Sequence, residues 1–186
     1  MKVSAAILAG GRATRFGGRD KSALVVEGRT ILERQLAELS AVTTDLRVIR
    51  REDDLVPESG PLGGLHAALT AARADAVFVV ACDMPYVTGR FAVHLLSRAG
   101  AADIVVPRTE RGYHPLCAVY TRRCLAAVAR RLAERRLKML ELLDEVRTCE
   151  VTADEIDRFG DHNRLLANVN TPAEYAGLEA LQGHQL

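Results

Sequence analysis

The segment Val3–Leu8 is apolar apart from Ser4 and runs straight into Ala9-Gly10-Gly11, and that junction constrains the fold more than any other feature of the chain. A short Val/Ile/Ala-rich run of this kind reads as a buried strand, and small residues at its end let the backbone approach a ligand and aim N–H groups at it. Similar runs recur at Leu46–Ile49, Ala76–Ala81, Ile104–Pro107, Leu116–Tyr120, Thr148–Val151 and Leu166–Val169. Between them lie amphipathic stretches, with Ile31-Leu32-Leu36-Leu39 and Leu62-Leu65-Leu69 spaced for one buried helical face. Alternation of this kind predicts an α/β fold: a three-layer, mostly parallel twisted sheet with helices on both faces. In such a sheet the loop after Leu8 lies at the carboxyl edge, where ligands bind.

Residues 122–146 read as one long helix or two short ones, with Leu125, Val128, Leu132, Leu137, Leu140 and Leu143 on the buried side. The charges Arg130-Arg131 and Glu134-Arg135-Arg136 read as its solvated face. No repeat, low-complexity tract or linker interrupts the chain, so residues 1–186 are expected to form a single domain with a loose tail from Gln182. Lys and Arg total 25 against 24 Asp and Glu, a balance that gives no reason to invoke nucleic acid or a membrane surface as partner. The four cysteines form no Cys-x-x-Cys pair, which argues against a zinc knuckle or redox motif; Cys82 and Cys117 read as buried thiols. No basic–apolar–small leader opens the sequence, so a soluble, cytoplasmic protein is expected.

Five segments carry chemistry. In the first, Leu8 to Lys21, neither familiar phosphate loop is present. A Walker A loop needs Gly directly before its Lys, but Asp20 precedes Lys21, and Gly10-Gly11-Arg12 does not supply Gly-x-Gly. What remains is a longer loop in which Arg15 and Lys21 bracket Gly17-Gly18, an arrangement suited to a polyphosphate. The second is the apolar strand ending in Cys82-Asp83-Met84-Pro85. A single carboxylate there faces the same crevice and suffices to anchor magnesium, which takes one or two protein carboxylates and fills its shell with phosphate oxygens and water. Asp83 could instead cap the following helix, but Thr88 is better placed for that.

Gly60-Pro61-Leu62-Gly63-Gly64 turns the chain and opens a helix, and Asp53-Asp54 upstream offer carboxylates to a guanine edge or a ribose hydroxyl. His114-Pro115-Leu116 enters a strand. Asn168-Val169-Asn170-Thr171-Pro172 puts two amides on one side of the chain and ends in a helix N-cap, Thr171, with proline after it.

In this order and spacing the five segments resemble the molybdenum cofactor guanylyltransferases, members of the wider nucleotidyltransferase class, over nearly the whole chain. The resemblance implies a single Rossmann-like nucleotidyltransferase domain that moves GMP from GTP to the phosphate of molybdopterin, giving molybdopterin guanine dinucleotide and pyrophosphate, with Mg²⁺ required. It implies nucleotide contacts at Leu8, Ala9, Gly10, Gly11 and Gly63, phosphate contacts at Arg15 and Lys21, metal at Asp83, and pterin contacts at Asn168, Asn170 and His114. Lys21, Arg15 and Asp83 form the implied catalytic set. The product cofactor implies transient contact with molybdenum cofactor insertion proteins. Family members carry more chain before the Gly-Pro-Leu segment. Their nucleotide-contacting Asp falls at Asp54 by one placement and Asp53 by another; Asp54-Leu55-Val56-Pro57 is the closer match. Transferases of the same fold with another base or acceptor, and a non-catalytic GTP-binding protein, are the competing expectations.

Overall fold

A computed structural model describes residues 1–10, 21–171 and 173–176. Gly11 and Arg15 lie outside the described residues.

The first strand, β1 (Val3–Leu8), is followed by a two-residue hairpin, β2 (Val25–Val26) with β3 (Arg29–Thr30). Glu27 and Gly28 make its turn with φ of 51° and 78°, the positive values that a tight right-twisted hairpin needs. Thr30 and Glu33 form a reciprocal capping box that starts α1 (Ile31–Ser40). There follow β4 (Leu46–Ile49), α2 (Gly60–Ala71), β5 (Ala76–Ala81) and α3 (Gly89–Ser97), whose cap is Thr88, as its sequence position predicts. The remainder is β6 (Ile104–Thr109), β7 (Gly112–Tyr113), β8 (Cys117–Thr121), α4 (Leu125–Ala133), α5 (Met139–Leu142), β9 (Thr148–Val151), α6 (Ala153–Ile156) and α7 (His162–Leu165).

Seven strands form one sheet in the order β4-β1-β5-β8-β6-β7, with β9 also paired to β6. β1 lies parallel to both β4 and β5, and β6 parallel to β9, while β8 runs antiparallel to its neighbours β5 and β6. Five strands therefore share one direction. Alternate residues divide the interior into two layers of core. Ala5, Ile7, Phe78, Val80 and Val119 face Leu39 of α1, Phe91 and Leu95 of α3 and Ile156 of α6. Ala6, Leu8, Val77, Val79 and Ala118 face Leu62, Leu65 and Leu69 of α2 and Val128 and Leu132 of α4. Each fully buried aliphatic side chain contributes about 1.5–3 kcal/mol.

Three sequence expectations are corrected. Leu166–Val169 is not a strand: a hydrogen-bonded turn ends α7 at Leu166, and the following residues pair with no strand. Leu165, Leu166 and Val169 are buried, so the apolar run satisfies the core without a ladder, and the Val169 N–H donates instead to the Asp83 carbonyl at 2.8 Å. Residues 122–146 take the second of the two expected forms, α4 and α5 with a break between them where Arg135 takes φ 56°, and what is corrected there is the burial of Leu140. That break rotates Leu140 outward to 54% exposure while Met139, Leu142 and Leu143 turn inward. Finally, Arg131 does not belong to a solvated face. Its side chain is fully buried, donating to Glu145 at 2.6 Å, Glu141 at 2.9 Å and the Lys138 carbonyl at 3.0 Å, so α4 and α5 are joined through a paired guanidinium.

Cys82, Cys117 and Cys124 are buried. Burial pushes the Cys117 thiol up, and Cys124 rises to about 12.

Gly89 marks the closest approach of α1 and α3: a Cβ there would stand 2.6 Å from the Glu38 carbonyl oxygen. Gly89→Ala is expected to cost about 1–3 kcal/mol in urea unfolding. Gly100→Ala, whose Cβ meets nothing within 4 Å, should stay within about 0.5 kcal/mol of the parent.

Candidate active site

The parallel strands β1, β4 and β5 end together. The Ala9 N–H donates to the Ile49 carbonyl at 2.8 Å, the Cys82 N–H to the Leu8 carbonyl at 3.0 Å and the Ala81 N–H to the Leu116 carbonyl at 2.8 Å. These bonds close the carboxyl edge of the sheet and leave Asp83 on the first turn beyond β5. A short 3-10 turn, Lys21–Ala23, brings Lys21 to the same edge. Its ammonium donates to Asp83 Oδ2 and to Asn170 Oδ1, each at 3.2 Å. Both members of the Lys21–Asp83 ion pair are largely buried, with side chains 19% and 15% exposed. One cation therefore joins residues from three distant parts of the chain.

Beside this pair opens a cavity of about 430 Å³, within the range of small-molecule sites. Leu8, Ile49, Ala81 and Leu116 give it apolar walls, and Gly10, Gly60, Pro61 and Gly64 give it a close-lying backbone. Its polar groups are Lys21, Asp83, Asp54, Arg50, Arg51 and Glu58. Gly63 lies behind Asp54: a Cβ on it would meet Ser59 Cβ at 3.0 Å and the Asp54 carboxyl at 3.3 Å. The two adjacent acids are separated by the local turn. Asp54 lines the cavity, whereas Asp53 ends a 3-10 turn, accepts the Arg50 N–H at 2.7 Å and faces an outer groove beside Arg47 and Leu55. Burial pushes the Asp54 carboxyl above its ordinary value; the Arg51 guanidinium opposes that shift and Asp53 adds to it.

Other expected site residues are more scattered. Asn168 is half-buried, two residues before Asn170. The Asn170 and Thr171 N–H groups both donate to Glu174, and Thr171 accepts from the Glu174 N–H, so Thr171 does cap a helical turn at 173–176. His114 does not line the cavity. It is half-buried beside Thr109, with Nε2 and Thr109 Oγ1 3.0 Å apart, and burial, reinforced by Arg111, lowers its pKa. Arg50, Arg51 and Glu58 were not singled out from the sequence; the signal available was the density of charge around Asp54.

A larger groove of about 530 Å³ lies between α1 and α7, near Tyr86. It contains none of Lys21, Asp83 and Asn170, and its Arg34 and Arg164 are both paired with Glu27. The smaller cavity is the chemically equipped one.

The residues at hand suit a divalent metal ion bound mainly by a ligand's phosphates. Among the described residues the buried Asp83 Oδ1 has no hydrogen-bond partner, and no group of three or more His, Cys, Asp and Glu side chains could enclose a metal on its own.

Apolar walls, a lysine and a lone carboxylate thus meet at the carboxyl edge of a mostly parallel sheet, where α/β proteins bind their ligands. The architecture matches the crystal structure of molybdopterin-guanine dinucleotide biosynthesis protein A from Archaeoglobus fulgidus with a TM-score of 0.84, covering 98% of this chain and 99% of that one at 23% identity. It also matches 2-C-methyl-D-erythritol 4-phosphate cytidylyltransferase from Thermus thermophilus, with a TM-score of 0.69 at 19% identity over 97% and 98% of the two chains. Residues 5–148 match the family model of the MobA-like NTP transferase domain. A probable molybdenum cofactor guanylyltransferase of Pelotomaculum thermopropionicum is 31% identical over 94% of this chain and 90% of its own. The chain belongs to the MobA-like NTP transferase family and is a nucleotidyltransferase. Among the described residues no helix is long and apolar enough to cross a membrane.

A carboxyl ¹³C NMR titration should place the Asp54 midpoint above the ordinary Asp value of about 3.9, and Arg51→Ala should move it higher still, because the guanidinium holds the shift down. A midpoint at or below that value would mean the carboxylate is solvated.

Proposed function

We propose that this enzyme transfers GMP from GTP to the terminal phosphate of molybdopterin in the cytoplasm, releasing pyrophosphate and molybdopterin guanine dinucleotide. Insertion proteins would then receive that product through transient contact. The observation that carries the reading is the Lys21 ammonium held between Asp83 and Asn170, because it makes one cation common to a metal-binding carboxylate and an amide suited to the second substrate. The names of the relatives point the same way.

The base would occupy the cavity between Leu8 and Leu116 with its polar edge toward Asp54, whose carboxylate can accept from guanine N1–H and N2–H. Asp83 would hold Mg²⁺, which, when bound, neutralises phosphate charge. Lys21 would bind the triphosphate, with Gly11 and Arg15, which lie outside the described residues, assigned from the sequence to the nucleotide and its phosphates. Asn168 and Asn170 orient the pterin, with His114 assigned to its outer contacts. An oxygen of the pterin phosphate attacks the α-phosphorus in line; a new P–O bond forms as the bond to the β-phosphate oxygen breaks. The nucleophile is already anionic at neutral pH, so no side chain has to remove a proton. Rate then comes from alignment and charge stabilisation.

The direct test is incubation with GTP, Mg²⁺ and molybdopterin followed by identification of the nucleotide product. Pyrophosphate and the guanine dinucleotide are expected; release with CTP but not GTP would overturn the base assignment. Asp83→Ala should fold and lose about a hundred-fold or more in rate, and Lys21→Ala should weaken GTP binding and turnover together. An active Asp83→Ala enzyme removes the metal assignment. Asp54 must be ionised to accept from guanine, and its raised pKa means that GTP affinity should fall, as pH drops, at a pH above the ordinary Asp range. Asp54→Asn should abolish that dependence while weakening GTP binding.

A further inference from the structure

On α1 the residues Ile31, Gln35 and Leu39 are spaced four apart and all are buried, Gln35 at 1% exposure. A glutamine at the centre of an apolar stripe calls for a reason, since an aliphatic side chain would pack there without a polar group to satisfy. Its Nε2 donates to the Ala81 carbonyl at 2.8 Å and to the Met84 carbonyl at 3.0 Å. Those two carbonyls flank Cys82-Asp83, the turn that carries the acid. The amide's other end, Oε1, is buried and has no hydrogen-bond partner among the described residues, a cost that a residue present for packing alone would not carry.

The rest of the turn is held in the same manner. The Asp83 carbonyl accepts from the Val169 N–H at 2.8 Å, and the Pro85 carbonyl from Arg34 Nε at 3.1 Å. Adjacent residues of one helix, Arg34 and Gln35, thus grip three carbonyls of the segment Ala81–Pro85 from behind, and the Asp83 side chain projects forward to Lys21. Fixing both peptide planes around a turn fixes the direction of the side chain between them, and interactions one layer behind a metal ligand commonly set its affinity and the rate.

We propose that Gln35 is a positioning residue of the enzyme: by clamping the Ala81 and Met84 carbonyls it aims the Asp83 carboxylate at the site where nucleotide phosphates and metal meet. The proposal rests on the reading of Asp83 given above. Its test compares Gln35→Met, similar in length and lacking the donors, with Leu39→Ala, a core truncation on the same helical stripe that makes no hydrogen bond to the turn. Both lower the melting temperature. At a temperature where both remain folded, Gln35→Met is expected to lose about ten-fold or more in kcat, with KM for GTP within threefold, and to weaken Mn²⁺ binding to the GTP complex, read by electron paramagnetic resonance, by about ten-fold. Leu39→Ala should keep kcat and Mn²⁺ affinity within twofold. Arg34→Met, at a partly exposed position, should move kcat and Mn²⁺ affinity the same way by a smaller factor, and it supplies the answer if Gln35→Met does not fold.

Unchanged Mn²⁺ affinity in Gln35→Met, or losses equal to those of Leu39→Ala, would overturn the proposal; if Gln35→Met does not fold, unchanged Mn²⁺ affinity in Arg34→Met overturns it. Asp83→Ala separates the two levels. If that variant keeps Mn²⁺ affinity and turnover, the reading of Asp83 fails and takes the proposal with it. If it loses both while the Gln35 and Arg34 variants do not, the positioning role alone fails.

Discussion

The register between β1 and β5 governs the rest of the molecule. Val3 pairs with Ala76 and the ladder continues to Leu8 with Ala81, so the two strands finish level and the chain after each enters the same space. A slip of one residue would turn one strand's side chains to the other core layer, parting Ile7 from Phe78, and would offset the small-residue loop from the acid. Such a slip is opposed on both faces, because all six residues of β5 are buried and five of the six in β1 are. The site inherits its geometry from hydrophobic burial in the two central strands.

On that frame the polar groups are few, and each has limited alternatives. Lys21 meets the Asp83 carboxylate and the Asn170 amide while mostly buried, so it lies in a region of reduced dielectric where charge is felt strongly. A hydrogen bond to a charged group contributes about 1.5–3 kcal/mol, and a buried unpaired acceptor such as Asp83 Oδ1 costs about 1–3 kcal/mol. These are comparable quantities. On the proposed reading, a ligand bringing several phosphate charges and a divalent ion would displace the Lys21 contacts without a large penalty and satisfy an oxygen that has no partner among the described residues.

What could be read from the sequence follows from how each signal arises. Val3–Leu8, Leu46–Ile49, Ala76–Ala81 and Thr148–Val151 coincide with strands because short apolar runs next to turn residues have few other uses. The run Leu166–Val169 carries the same pattern, yet its residues bury against neighbours across the chain and the one backbone bond that matters goes to Asp83, a partner no local pattern encodes. Arg131 reads as surface because its neighbours Arg130, Glu134, Arg135 and Arg136 are exposed; only the fold reveals that α5 brings Glu141 and Glu145 over it. Lys21, Asp83 and Asn170 could be named from type and spacing, but their meeting on one ammonium depends on the order of strands. Gln35 escaped notice for the opposite reason: at the spacing of Ile31 and Leu39 it looks like an imperfection in an apolar stripe.

The stretch between β4 and α2 shows how a short connection can still build a wall of the cavity. Residues 50–59 have room for one 3-10 turn, and that turn decides which acid faces in. Asp53 Oδ2 is drawn back to the Arg50 N–H and the Asp54 N–H to the Arg51 carbonyl, which leaves the Asp54 side chain toward the cavity. Glu58 and Gly60 then take φ of 59° and 56°, bending the chain into α2 within a few residues. Because α2 begins this close, Gly63 and Gly64 must lie against Asp54 and Leu8 with no side chain between. A longer connection could place the same acid by a looped excursion; here backbone curvature and two glycines do it, so the position of Asp54 depends on the packing of α2 against β1.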